Sequence, residues 1–417
     1  MALPPTSYDL PSPGASSMRS FLDPIFSLLS DFSASLRLRV KRQARPGARQ
    51  VVEWHFEQLH FQAWGFQTPK GAILANDTYL NWVIKNTPTQ WWHDSAEAAE
   101  LQLGLERGAI GVTTNPFLSN IALVRDRQIW AADIDPVLAL NLPPEQKAEA
   151  LMRIPVTKTC AKLMPEFEAS KGQSGFVCSQ VNPVRAGDRE SMLAQARRFH
   201  AWAPNIAVKL PAAAAGLDVE EECVAEGITV TLTVSFTVPQ TVAIAERHRA
   251  GIARAKANGV VPGKCFSVIM IGRLDDFLRE VAQDNKAGVS ESDIQQSGLA
   301  ATKRAYAIYK ERGYEAVLLI AALRGPYHLT ELAGADLLMS IAPGFQGMFV
   351  DKDWPREERI ANPVPADVIA RLQTMPEFVR AYEPDGMKPD DFVGFGATQR
   401  TLCQFVEVGW RLMENYR

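Results

Sequence analysis

Lys209 is the residue whose setting most clearly suggests chemistry. It stands in the run Asn205-Ile-Ala-Val-Lys-Leu-Pro211, where Ile206, Ala207, Val208, Leu210 and Pro211 are all apolar. Such a run reads as a buried parallel strand. Burial strips water from an ammonium group and favours the neutral amine. A neutral amine can attack a carbonyl carbon, so a Schiff-base nucleophile is the sharper of two readings. The other is a strand-end lysine whose stem packs while its head reaches solvent. The heptapeptide alone leaves both standing, and the elements around it must decide.

From about residue 90, short apolar runs alternate with longer helical patterns. The runs span 90–95, 109–116, 175–182, 205–211, 229–236, 265–271, 316–323 and 336–343. Helical patterns at 190–202, 241–257 and 298–312 lie between several of them. Alternating strands and helices imply a parallel sheet. Eight such units over about 250 residues match an α/β chain folded as a (β/α)8 TIM barrel. A doubly wound open sheet would call for a phosphate loop at its switch point, and neither GxGxxG nor GxxxxGK[ST] occurs.

In such a barrel, catalytic groups gather at the C-terminal ends of the strands. Those ends carry, in order, Asp94, Asn115, Gln180, Lys209, Thr231 with Thr233, Arg273 and Arg324. An acid, an amine, amide and hydroxyl groups and two guanidinia then converge on one face. With that company, the Schiff-base reading of Lys209 becomes the favoured one.

Four ordered motifs carry a family resemblance: Gly111-Val-Thr-Thr-Asn-Pro-Phe117, Asn205-Ile-Ala-Val-Lys-Leu-Pro211, Glu226-Gly-Ile-Thr-Val-Thr-Leu-Thr233 and Gly272-Arg-Leu-Asp-Asp276. From about residue 90 to 343 the chain resembles the transaldolase family, which includes the fructose-6-phosphate aldolases. The resemblance implies that Lys209 is the Schiff-base lysine, attacking the keto group of a sugar donor. It implies that Asp94, in Trp91-Trp-His-Asp94, is the acid that moves a proton between hydroxyl and leaving aldehyde. An N-cap on a following helix is the alternative for Asp94. Asn115 resembles the asparagine that bonds a donor hydroxyl, against a plain Asn-Pro turn. Thr233 matches the threonine that helps hold the catalytic water. Arg273 and Arg324 resemble the phosphate-binding arginines, whose planar forks suit a dianion. For Arg273 a salt bridge with Asp275 or Asp276 competes.

Several positions depart from the family pattern. Transaldolases have a water-activating glutamate where this chain has Gln180, in Cys178-Ser-Gln-Val-Asn182. A glutamine orients water but cannot act as its general base. The aldolase subgroup also has glutamine there, but it carries tyrosine on the sixth strand, where transaldolases have phenylalanine and this chain has Met270. Thr231 replaces an expected asparagine, Val268 a serine, and Ala322 another serine near the phosphate site. Unpaired buried polar groups cost about 1–3 kcal/mol, so a site built for a hydroxyl keeps its partners. Their loss points to a less hydroxylated donor.

The leading function is therefore a Schiff-base transaldolase passing a dihydroxyacetone-type unit between sugar phosphates. A specialised aldolase or lyase with another ketone donor is the alternative, and an inactive sugar-phosphate-binding descendant is a third. Retention of both Lys209 and Asp94 argues against the last. A metal-dependent aldolase is disfavoured, because the six histidines form no HxH or HExxH. No cofactor or metal is expected.

The 417 residues are 47% hydrophobic and 22% charged, enough for one large barrel domain or two smaller ones, with a net charge of -3 that gives no reason to expect nucleic acid. The five cysteines are scattered with no CxxC pair, which fits a reducing cytoplasm. No run reaches the ~18 apolar residues of a membrane span, and the start lacks the marks of a signal peptide. Residues 1–89 read as a disordered tail followed by a helical extension, with an amphipathic pattern from Phe21 to Leu36, a basic stretch, and aromatics from Trp54 to Phe66. Residues 90–417 read as the barrel with C-terminal helices. Homo-oligomerisation is left open.

Overall fold

The computed structural model describes residues 78–417. The tail, the amphipathic helix and the aromatic segment expected further upstream lie outside the described residues.

Eight strands close into one barrel in sequence order. They are β1 (Gln90–His93), β2 (Gly111–Val112), β3 (Phe176–Gln180), β4 (Ile206–Pro211), β5 (Val230–Thr233), β6 (Cys265–Met270), β7 (Val317–Ala321) and β8 (Leu338–Ile341). Every pairing is parallel, and β8 closes on β1 through Gln90↔Leu338 to His93↔Ile341. Each strand falls inside one of the apolar runs, because a strand covered on both faces has little room for polar residues. The helices Arg189–His200, Val238–Ala257 and Ser297–Arg312 occupy the segments with helical patterning.

Side chains alternate between the barrel interior and the helix layer. Trp92, Phe176 and Phe266 meet inside, with ring centroids 4.6 Å apart for Trp92–Phe266 and 5.4 Å for Phe176–Phe266. A Cβ on Gly111 would come within 2.5 Å of the Trp92 ring, so a glycine there makes room for the indole. Residues two or four positions further along the same faces are Asp94, Gln180, Val268 and Met270. The aromatic plug thus floors the C-terminal mouth where the candidate site residues stand.

Past β8 the chain adds helices Pro343–Asp351, Ala366–Leu372, Pro376–Tyr382 and Gly396–Phe405, then a π-helical turn and a last short helix. No helix among the described residues is long and apolar enough to cross a membrane.

Candidate active site

Lys209 lies on the inner face of β4, with Gln180 of β3 and Thr231 of β5 as its register neighbours. It is only 6% exposed, and its Nζ donates to the carbonyl of Thr114 at 3.1 Å. The snorkelling alternative does not hold. Thr114 is itself pinned, its hydroxyl donating to the Cys178 carbonyl at 2.7 Å. The loop after β2 therefore sets the height of the lysine head.

Asp94 follows β1 directly, and its backbone N–H extends the ladder to Ile341 O at 3.2 Å. Its Oδ1 accepts the Thr113 hydroxyl at 2.6 Å, and that hydroxyl shares a 2.6 Å hydrogen bond with Ser340. The next helix starts at Ala98 with Glu97 at its cap, so Asp94 is not an N-cap. Burial pushes the Asp94 carboxyl above the usual carboxylate range, while the Thr113 hydrogen bond and the Lys209 charge pull it part of the way back. Lysine and carboxyl are close enough to act on each other's charge.

Asn115 caps the helix Pro116–Arg125, its Oδ1 accepting the Leu118 N–H at 2.9 Å. Proline at the first helical position completes the start signal. The carbonyl of this amide is thus engaged in a helix cap rather than a plain turn, and its Nδ2 has no hydrogen-bond partner among the described residues. Gln180 is 2% exposed, and its Oε1 is buried with no hydrogen-bond partner among the described residues. Thr233 and Met270 face each other across β5 and β6, the hydroxyl 4.0 Å from the sulfur. Thr231 sits deeper, its hydroxyl 3.4 Å from the Cys178 sulfur. Val268 is 1% exposed, on the inner face of β6 with Met270.

The two arginines come together from different segments. Arg273 lies in the helix Ile271–Asp284, which leaves β6 without a loop, rather than at the strand end itself. Its Nη1 reaches the Thr401 hydroxyl at 3.4 Å, its guanidinium lies 5.8 Å from the Phe405 ring, and its buried Nε has no partner among the described residues. Burial and the neighbouring Arg324 charge hold its pKa down to about 10. The competing salt bridge is absent. Asp275 is engaged by His328 at 3.0 Å and by Ser297 and Gly298 at 2.8 Å, whereas Asp276 pairs with Arg324 and Arg279. His328 Nδ1 accepts the Arg324 backbone N–H at 3.1 Å, which leaves Nε2 to donate to Asp275. This buried pair ties the helix of Arg273 to the loop of Arg324. Gly272 permits the close approach: a Cβ there would lie 2.4 Å from both Ala322 O and Arg324 Cγ.

Sequence reasoning missed Thr113, Ser340 and the C-terminal residues Thr401 and Phe405. Thr113 stands inside the Gly111–Phe117 motif. Nothing in the sequence marked the other three, whose partners lie far along the chain.

A closed parallel barrel with lysine, carboxyl, amide and paired arginines at its C-terminal mouth has the architecture of a (β/α)8 enzyme. The family model described as transaldolase/fructose-6-phosphate aldolase matches residues 91–381. The chain belongs to that family. It is similar to a transaldolase of Neisseria gonorrhoeae, 31% identical over 232 residues, covering 54% of this chain and 64% of the relative. A transaldolase of Mycolicibacterium smegmatis is 30% identical over 234 residues, covering 53% and 62%. "Transaldolase 2" of Nostoc punctiforme is 28% identical over 232 residues, covering 52% and 61%. The chain thus spans less than two thirds of the length of these relatives.

Proposed function

We propose that this protein is a Schiff-base transaldolase that transfers a dihydroxyacetone-type unit between sugar phosphates, with Lys209 as nucleophile. The observation that carries the reading is the buried Lys209 amine within electrostatic reach of a desolvated Asp94 carboxyl. The lone pair of Nζ adds to the ketone carbon of the donor, water leaves, and an iminium forms. Asp94 takes the proton of the hydroxyl next to the breaking carbon–carbon bond, and the carbon bearing that hydroxyl departs as an aldehyde. The bonding pair moves into the iminium to give an enamine on Lys209. The enamine carbon then attacks an acceptor aldehyde, Asp94 returns the proton to the new alkoxide, and water releases the product from Lys209. A carboxyl held above its ordinary pKa suits this two-way proton traffic. Gln180 and Thr233 orient the water without serving as its base. Asn115 offers its Nδ2 donors to a donor hydroxyl, and Arg273 with Arg324 holds the phosphate.

A second reading is favoured by one specific observation. The inner face of β6 presents Val268 and Met270, and the Thr231 hydroxyl already faces Cys178. These groups supply little to a donor hydroxyl, which supports a specialised aldolase or lyase acting on a less hydroxylated ketone. Borohydride reduction with a panel of ketones, read by intact mass, separates the two. The transferase reading expects an intermediate from a phosphorylated ketose that stays trappable by late-added borohydride until an aldehyde is supplied. Loss of the trappable intermediate without acceptor, or a preference for hydroxyl-poor ketones, would favour the second reading. No adduct with any ketone would overturn both.

A further inference from the structure

The two candidate phosphate ligands are not in the same state. Arg324 is occupied: its Nε and Nη2 donate to Asp276 Oδ2 at 2.9 and 2.6 Å, and its Nη1 donates to the carbonyls of Ala322 and Leu323. Arg273 has no carboxylate partner among the described residues, and its Nε is buried and unpaired. Asp276 is three residues from Arg273 on one helix, yet its carboxylate serves Arg324 and, through Oδ1, Arg279 at 3.1 Å. Two guanidinia therefore stand side by side with only one of them neutralised.

We propose that Asp276 is an internal anion that occupies the Arg324 fork until the phosphate of a substrate displaces it, and so sets how strongly the site prefers phosphorylated ligands. This rests on the reading of Arg273 and Arg324 as the phosphate anchor. A phosphate dianion has oxygens enough to bridge both arginines, which the carboxylate does not do. Displacement leaves Asp276 with Arg279, so neither charge is stranded. The pair is also open to water, Arg324 at 38% and Asp276 at 36% side-chain exposure, and exposed ion pairs of this kind are weak. Asp276 thus acts as a modest competitor, tuning affinity rather than blocking the site.

The test uses the full chain with inorganic phosphate as probe, at constant ionic strength. Apparent Kd is read from the rise of the melting temperature with phosphate concentration, since a ligand that binds the native state stabilises it by mass action. Asp276→Asn and Asp276→Ser are expected to bind phosphate about two- to fivefold more tightly than the parent. Asp284→Asn, the same charge change at the far end of the helix, is expected to leave Kd unchanged. Arg273→Gln is expected to weaken binding by tenfold or more. If Arg273→Gln weakens phosphate binding while both Asp276 variants bind equally or less tightly than the parent, the anchor stands and the displacement is overturned. An equal gain in Asp284→Asn would also overturn it, reducing the effect to overall charge. If phosphate does not bind the parent, or binds it regardless of Arg273, the anchor reading fails and the proposal falls with it.

Discussion

Single residues at the barrel mouth gain their chemistry from what surrounds them rather than from their type. Asp94 is the sharpest case, because its carboxyl is desolvated and takes its main hydrogen bond from Thr113. Its proposed role begins with the carboxylate, so the rate should fall as pH drops through a pKa lying above the ordinary carboxylate range. The Thr113 hydrogen bond favours the charged form, and removing it must raise that pKa further. Thr113→Val is therefore expected to move the acid limb of kcat/KM to higher pH. A limb that stays in place or moves down would separate Asp94 from the titration. Asp94→Asn keeps the shape and removes the base, and a loss in kcat of about 10²–10⁴ is expected. A steady-state assay with the donor found by trapping reads both. Glutamine at 180 also matters here: buried, with its carbonyl oxygen unpaired, it can hold a water but gives the site no second titrating carboxyl.

At the scale of elements, the junction after β6 and the loop after β7 form one unit. Gly272 lets the two backbones touch, and the His328–Asp275 bond fastens them. A methyl group at Gly272 would meet a backbone oxygen, which cannot rotate away. Gly272→Ala is expected to cost about 1–3 kcal/mol of stability, measured from the urea midpoint, and to weaken phosphate binding as the arginines separate. A stable variant with parental phosphate affinity would show that the close approach does not set the arginine spacing. The strands were legible because each is an apolar run bounded by polar residues or turn formers, and the helices between them because their apolar spacing fits a turn of 3.6 residues. Partners were not legible. Thr401 meets Arg273 across 128 positions, and Asp276 meets Arg324 across 48. No local pattern distinguishes Asp276 from Asp275, yet one carboxylate takes an arginine and the other a buried histidine.

Across the whole molecule, the layer between barrel and helices holds an uncompensated acid. Glu220, in the helix Ala214–Ala225, is fully buried, and among the described residues its carboxyl accepts only a weak hydrogen bond from the Cys265 thiol at 3.2 Å. Burial pushes its pKa well above the ordinary glutamate value. A folded-state pKa above the unfolded one gives stability that is present below the unfolded value and is lost as pH rises through the folded one. Stability should therefore decline from acid toward neutral pH on account of this group, and Glu220→Gln should flatten the decline and raise the melting temperature at pH 7 to 8. Parallel melting curves for parent and variant across pH would show that Glu220 is not the group responsible. Fold class, strand order and the positions of Lys209, Asp94 and Gln180 on or just past their strands were readable from periodicity and motif. Arg273 sits instead in the helix after β6 and Arg324 in the loop after β7, rather than at the strand ends expected for them. The hydroxyl pair at Thr113 and Ser340, 227 positions apart, was not readable, because it exists only once β8 closes on β1.

Locating the imine decides whether Lys209 is the nucleophile. The full chain is reduced with borohydride in the presence of a ketone that forms an adduct, digested, and mapped by peptide mass. One modified residue, Lys209, is expected, with no adduct in Lys209→Ala. A modification on any other lysine, or an adduct that survives Lys209→Ala, would contradict that role.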